Sequence, residues 1–219
     1  MSRVSFSIPI SNPDPGARVA AALKQVLLGL KTDSGSAPTV ICVGSDRATG
    51  DSLGPLVGSM LCWNGFSGPV LGTLDRPVHA CNLEQTLMLL EDRCTTIIGV
   101  DACLGTKREV GTIIVSQGPL RPGLGVNKDL PPVGHVHIAG VVNVGGFMEH
   151  LVLQSTRLNL VVKMAQAIAW GIILAGEHIE DSRPDTRPGP KDKQKAAIPP
   201  ALTIAGPPLQ LVPESALQR

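Results

Sequence analysis

A three-layer α/β/α sandwich around a mostly parallel sheet is what this 219-residue sequence predicts. Three observations carry that α/β reading. From Thr39 to about Gly176, β-rich apolar runs alternate with stretches of helical spacing. The first of those runs passes through a polar, glycine-rich loop directly into a helix. An apolar content of 43% is also enough to bury a core in one domain of this length.

Residues 1–16 hold three prolines and little periodicity, and read as an extended arm. Val19, Leu23, Val26, Leu27 and Leu30 fall at helical spacing, predicting a helix over Ala17–Leu30. After a polar linker, Thr39–Gly44 reads as a strand, and Gly44–Gly54 as its polar loop. The second helix spans Leu53–Trp63, with Pro55 in the first turn, where a missing N–H costs little. Val70–Leu74 is a short strand and Asp75–Pro77 a turn. Cys81–Glu91 reads as a helix with Asn82 as its N-cap. The β-branched run ending at Asp101 and the segment Gly111–Gln117 are further strands. Gly118–Gly134 has four prolines, four glycines and no periodicity, the mark of a functional or disordered loop. His135–Val142 returns to strand, and Phe147 to about Ala175 is one long helix. No helix separates the strands at Gly111–Gln117 and His135–Val142, so one of them is expected to run antiparallel. Arg183–Pro200 contains five prolines and many charges, so 177–219 is expected to be a disordered tail. The division is then 1–38 as arm and helix, 39–176 as the α/β domain, and 177–219 as the tail.

Composition excludes several classes. Nineteen basic residues against eighteen acidic ones leave no surplus for a phosphate backbone. Three Phe, two Trp and no Tyr leave few platforms for base stacking, so no nucleic-acid partner is expected. The five cysteines form no C-x-x-C pair and are odd in number, against zinc-finger or disulfide frameworks. A reducing cytoplasmic setting fits them. No charged segment followed by a long apolar core opens the chain, and the apolar stretch Val161–Ala175 is interrupted by Lys163, Gln166 and Gly171, as in a core helix. No membrane partner is expected.

The chemistry concentrates in acids. Asp51 lies in the loop after the first core strand, and Asp101 closes another apolar run, so both are expected at one edge of the sheet. Two carboxylates held together cannot both ionise freely, and such a pair can work as general acid and base on a water. The competing reading is that Asp51 caps the second helix and Asp101 binds loop amides. The loop G-S-D-R-A-T-G-D-S-L-G matches neither phosphate-binding glycine motif. His135 and His137, two apart on a strand, share a face and, with the two acids, could hold a divalent metal; a hydrogen-bonded structural role is the alternative. Cys103 with His79 or His137 as base lacks the glycine elbow of a nucleophile site. Asn143–Glu149 opens the long helix, and its amides could hold an oxyanion or simply permit tight packing. Asp46, Asn127 in the Pro/Gly loop and Asn143 are the candidate substrate contacts.

The runs G-S-D-R-A-T-G-D-S-L-G-P-L-V-G, G-T-L-D-R-P-V-H-A-C-N-L, V-D-A-C-L-G, G-P-L-R-P-G-L-G-V-N-K-D-L-P-P-V-G and H-I-A-G-V-V-N-V-G-G-F-M-E-H-L-V-L-Q-S-T-R-L resemble the motifs of the spore protease YyaC family. The resemblance spans about residues 39–172. That family is distantly similar to the germination protease, which degrades small acid-soluble spore proteins, and to the hydrogenase maturation endopeptidases. It implies a phosphorylase/hydrolase-like (HybD-like) fold and a catalytic aspartate pair at Asp51 and Asp101. By the same resemblance His137, or His135, corresponds to a metal-holding histidine. The implied protein is a peptidase of the sporulating cell or spore acting on a protein or peptide, with no obligatory cofactor and a divalent metal as an option. The alternative is a non-catalytic or metal-binding recognition module on the same fold.

Overall fold

A computed structural model of the chain describes residues 4–30, 37–90, 96–122 and 130–181, with side chains to 176. Chain contacts gather residues 1–183 into one compact unit. Residues 184–219, which include most of the expected tail, lie outside those described.

The described residues of this unit form strands and helices in the following order. They are β1 (Ser5–Pro9), α1 (Pro15–Leu28), β2 (Thr39–Cys42), α2 (Leu53–Trp63), β3 (Val70–Leu71), α3 (Leu83–Met88), β4 (Ile97–Gly105), β5 (Thr112–Gln117), β6 (Val136–Val144), α4 (Glu149–Gln154) and α5 (Leu158–Asp181). The strands form one six-stranded sheet in the order β1-β5-β6-β4-β2-β3. β6, β4, β2 and β3 are mutually parallel. β5 runs antiparallel to both β6 and β1, as the missing crossover helix requires.

Alternation along the strands sorts two cores. Val40 and Cys42 face one side with Ile98, Val100, Val136 and Ile138, under α1, α2 and α5. Ile41 and Val43 face the other with Val78, Leu83, Leu120 and Val133, under α3 and its flanking loops. Every residue of β2 is buried, Thr39 included, which is why Val40, Ile41 and Cys42 follow one another without an alternating polar residue. The molecule is thus an α/β/α sandwich with one thick and one thin helical layer.

Four expectations change. The arm over residues 1–16 contains β1, which pairs with β5 through Ser5–Pro9 and buries Ile8. Its edge position, with Pro9 at its last residue, explains the weak sequence signal. β4 does not stop at Asp101 but continues to Gly105. The helix expected from Phe147 to Ala175 is two helices, α4 and α5. They break because the end of α4 turns to side-chain and loop partners: Thr156 Oγ1 donates to Val152 O at 2.8 Å, and Gly50 N donates to Leu153 O at 2.8 Å. Finally, α3 is shorter than expected, and Asn82 makes no side-chain cap for it.

α5 is long and apolar enough to cross a membrane, and half of its apolar stretch is buried within the fold. Met164, Ala165, Ile168 and Ile172 of that helix sit in the larger core.

Candidate active site

The site grows from the strand order. The chain leaves β2 towards β3 on one side and leaves β4 towards β5 and β6 on the other. Where neighbouring parallel strands send their connections apart, a crevice opens at their carboxyl ends. β2 stops at Cys42, paired with Val100, while β4 runs on. Asp101 is therefore the first β4 residue beyond its partner β2, in mid-strand yet at the edge of the crevice. It shares a face with Ile97 and Gly99, the side of the thin helical layer.

The loop after β2 brings Asp51 to the same place. Gly44 has φ of +141°, and a Cβ there would collide with the backbone oxygen of Asp51. A Cβ on Gly54 would likewise strike the carbonyl of Val43. Two glycines thus let the loop fold back on the strand that precedes it. The Ser45 amide closes it, donating to the Asp51 carbonyl at 3.2 Å. Asp51 does not cap α2. The cap position belongs to Ser52, whose hydroxyl donates to Thr49 O at 2.7 Å.

Both carboxyls are partly buried and both are shifted towards protonation. Desolvation is the larger cause for each. The two differ in what opposes it. For Asp51, the Ser45 N–H and the charge of His79 favour the ionised form. For Asp101, the charge of Asp51 adds to the desolvation and raises it well above the usual range; only the Ala102 N–H, at 2.7 Å from Oδ1, works against this. The two acids are thereby made unequal, Asp101 holding its proton more tightly than Asp51. Cys103 lies two residues beyond Asp101, and burial together with Asp101 and Glu109 pushes its thiol up to about 12. A thiol so held is a poor nucleophile.

His79 is the group that sequence reasoning placed only as a partner for Cys103. Val78 bridges Val43 in parallel, and Val78 O accepts from Gly44 N at 2.8 Å, so His79 enters the crevice beside the Asp51 loop. The signal that could have found it is V-H-A-C-N: a histidine three residues before an Asn that binds its backbone.

The other candidates are distributed differently. Asp46 is exposed in the turn of the Asp51 loop. Asn127 lies outside the described residues. Asn143 is the penultimate residue of β6, not the start of a helix, and its carboxamide is engaged within the fold. Nδ2 donates to Val152 O and Thr156 Oγ1, both at 3.2 Å, and Oδ1 accepts from Val144 N at 2.9 Å. Two amides of the following segment are engaged within the fold: Gly145 N donates to Gly105 O, and Gly146 N to Glu149 Oε1. His137 pairs in register with Gly99, one step below the Asp101–Ala139 pair, on the same sheet face. Its Nδ1 is 2.9 Å from Gly118 O. His135 Nδ1 accepts from Ile97 N at 3.1 Å, a structural bond at the opposite end of β4 from the crevice. Among the described residues, no three His, Cys, Asp or Glu side chains are grouped to hold a metal ion. Of the Pro/Gly loop, Leu120 and Val133 are buried and paired with each other, lying over Gly99 just before Asp101.

Comparison with known proteins adds the following. The family described as "Protein of unknown function (DUF1256)" matches residues 16–171. A Bacillus subtilis (strain 168) protein named "Uncharacterized protein YyaC" is 48% identical over 162 residues, covering 71% of this chain and 79% of that protein. Among solved structures, the [NiFe] hydrogenase maturation protease HycI from Thermococcus kodakarensis KOD1 is similar, with a TM-score of 0.44 and 19% identity. That match covers 69% of this chain and 97% of the protease.

Proposed function

The chain belongs to the DUF1256 family, and from that premise we propose that it is a peptide-bond hydrolase working through Asp51 and Asp101. The observation that carries this reading is the unequal pair: two carboxyls close enough for one charge to raise the other, at the switch point of a parallel sheet. Asp51, the more readily ionised, takes a proton from water as that water attacks the peptide carbonyl. Asp101, the acid of the pair, donates its proton to the carbonyl oxygen as charge develops there; as the tetrahedral diol collapses, Asp51 passes the proton it took from water to the leaving amine, and Asp101 recovers its own from the diol hydroxyl. The substrate class is a protein or peptide, and the resemblance of the motifs to spore proteases favours a spore protein in the cytoplasm of the sporulating cell or spore.

The test is direct. Purified chain is incubated with a small acid-soluble spore protein and with a fluorogenic peptide library, and fragments are read by mass spectrometry. Wild type is expected to cut. Asp51→Asn and Asp101→Asn are each expected to slow cutting by at least about a hundredfold, the usual scale of a lost general acid or base. Cleavage by both variants at the wild-type rate defeats the pair mechanism.

A further inference from the structure

We infer that β1 is the contact strand of a homodimer, pairing antiparallel with β1 of a second copy about an axis through Phe6. The sheet of one copy then continues into the sheet of the other. This pairing is independent of the hydrolase reading.

The direction of the β1 backbone groups comes first. β1 ends the sheet and pairs antiparallel with β5, Ser5 opposite Ser116 and Pro9 opposite Thr112. Two bonds fix the phase of the ladder. Gln117 N donates to Val4 O at 2.9 Å, and Ile10 N donates to Gly111 O at 2.8 Å. In an antiparallel ladder alternate residues bond to a given neighbour. Val4, Phe6, Ile8 and Ile10 therefore face β5, and the N–H and C=O groups of Ser5 and Ser7 point out from the sheet edge. Pro9 falls in the outward phase too, where its missing N–H costs the ladder nothing. Its carbonyl is occupied, accepting from Asn12 N at 3.0 Å. Among the described residues, no bond reaches the outward groups of Ser5 and Ser7, and both residues are exposed.

An open edge is a template for another strand, and folds commonly guard it with charge, proline or a bulge. The run S-F-S-I-P of β1 has no charge, and its register with β5 is unbroken. Pro9 is its one guard. It stops pairing at that end and leaves Ser5 to Ser7 open.

That open stretch complements itself. A two-fold axis through Phe6 sets Ser5 opposite Ser7 of the second copy, and Ser7 opposite its Ser5. Every outward N–H and C=O of the two residues then has a partner. An axis through Ser7 instead sets Ser5 against a proline, and the Ser5 carbonyl goes unpaired. The side chains favour the same register. Phe6 and Ile8 pack with the larger core, and alternation puts Val4 on their face. About the Phe6 axis the two Phe6 rings become a close cross-strand pair, and Val4, 42% exposed, comes beside Ile8 of the second copy. The pair is closed, because β1 is used once in each copy and β3, the opposite edge, has two residues to offer.

The experiment uses the labelled full chain from micromolar to millimolar concentration. So short a contact makes a weak dimer. Mass in analytical ultracentrifugation is expected to climb from one chain towards two as concentration rises. Amide exchange is expected to identify the strand. The Ser5 and Ser7 N–H groups should slow about tenfold once about nine chains in ten are paired, whereas those of Phe6 and Ile8 are protected at every concentration. Ser7→Pro removes an outward N–H and keeps the bonds to β5, so it is expected to stay a single chain. Ser7→Ala keeps the N–H and is expected to dimerise like wild type. A single-chain mass at every concentration overturns the inference. So does a dimer whose Ser5 and Ser7 amides exchange as fast as in the monomer, or a folded Ser7→Pro variant that dimerises as wild type does. If Ser7→Pro fails to fold, the exchange of the wild-type amides decides.

Discussion

Asp51 and Asp101 are the same residue type in one crevice, and their surroundings set them apart. Burial raises both; the Ser45 amide and His79 restrain Asp51, while Asp51 itself pushes Asp101 further. A carboxyl raised in the folded state binds more protons there than in the unfolded chain. Stability therefore falls as pH rises from the ordinary aspartate range through the folded value. Asp101→Asn removes that penalty, so its thermal midpoint relative to wild type is expected to rise as pH increases across this window. Scanning calorimetry at several pH values checks it, and a constant difference speaks against a raised Asp101. Cleavage should show the complementary profile, with an acid limb from Asp51 and an alkaline limb from Asp101. The acids themselves were legible in the sequence because each follows an apolar run. His79 was not, because its place depends on a bridge between Val78 and Val43, which are 35 positions apart along the chain.

At the scale of elements, the site depends on pieces that hold one another. α4 is a short helix with no buried residue of its own, yet it braces the Asp51 loop. The bond from Gly50 N to Leu153 O and the Asn143 contacts to Val152 and Thr156 form that brace. Asn143→Ala leaves those acceptors with fewer partners and is expected to cost about 1–3 kcal/mol in urea unfolding. It should also weaken cleavage, because Gly50 neighbours Asp51. An Asn143→Ala protein as stable as wild type would show that the carboxamide contributes no brace. Helical spacing alone fused α4 with α5, since apolar periodicity carries no record of a carbonyl captured by a distant loop. α2, in contrast, was legible to its ends: Pro55 stands in its first turn, and the helix spans Leu53–Trp63 as its spacing predicts.

For the whole molecule, α5 is the common support, packed on α1, α2 and β6. Ile168 is fully buried there, and Ile168→Ala is expected to cost roughly 2–5 kcal/mol, read as a lowered urea midpoint. A loss below that range would mean the core around α5 collapses to fill the space. By itself the sequence determined the α/β class, the mostly parallel core and an antiparallel step between the strands now seen as β5 and β6, and it singled out the two acids as candidates. Those follow from local periodicity and from where polar residues interrupt apolar runs. Only the tertiary structure decided that β1 completes the sheet, that Asn143 braces α4, and that β4 outruns β2 so that Asp101 meets the Asp51 loop. The physical reason is that strand order and hydrogen-bond partners are non-local. They are set by which surfaces bury each other, and a linear pattern of residues does not encode that until the chain has closed on itself.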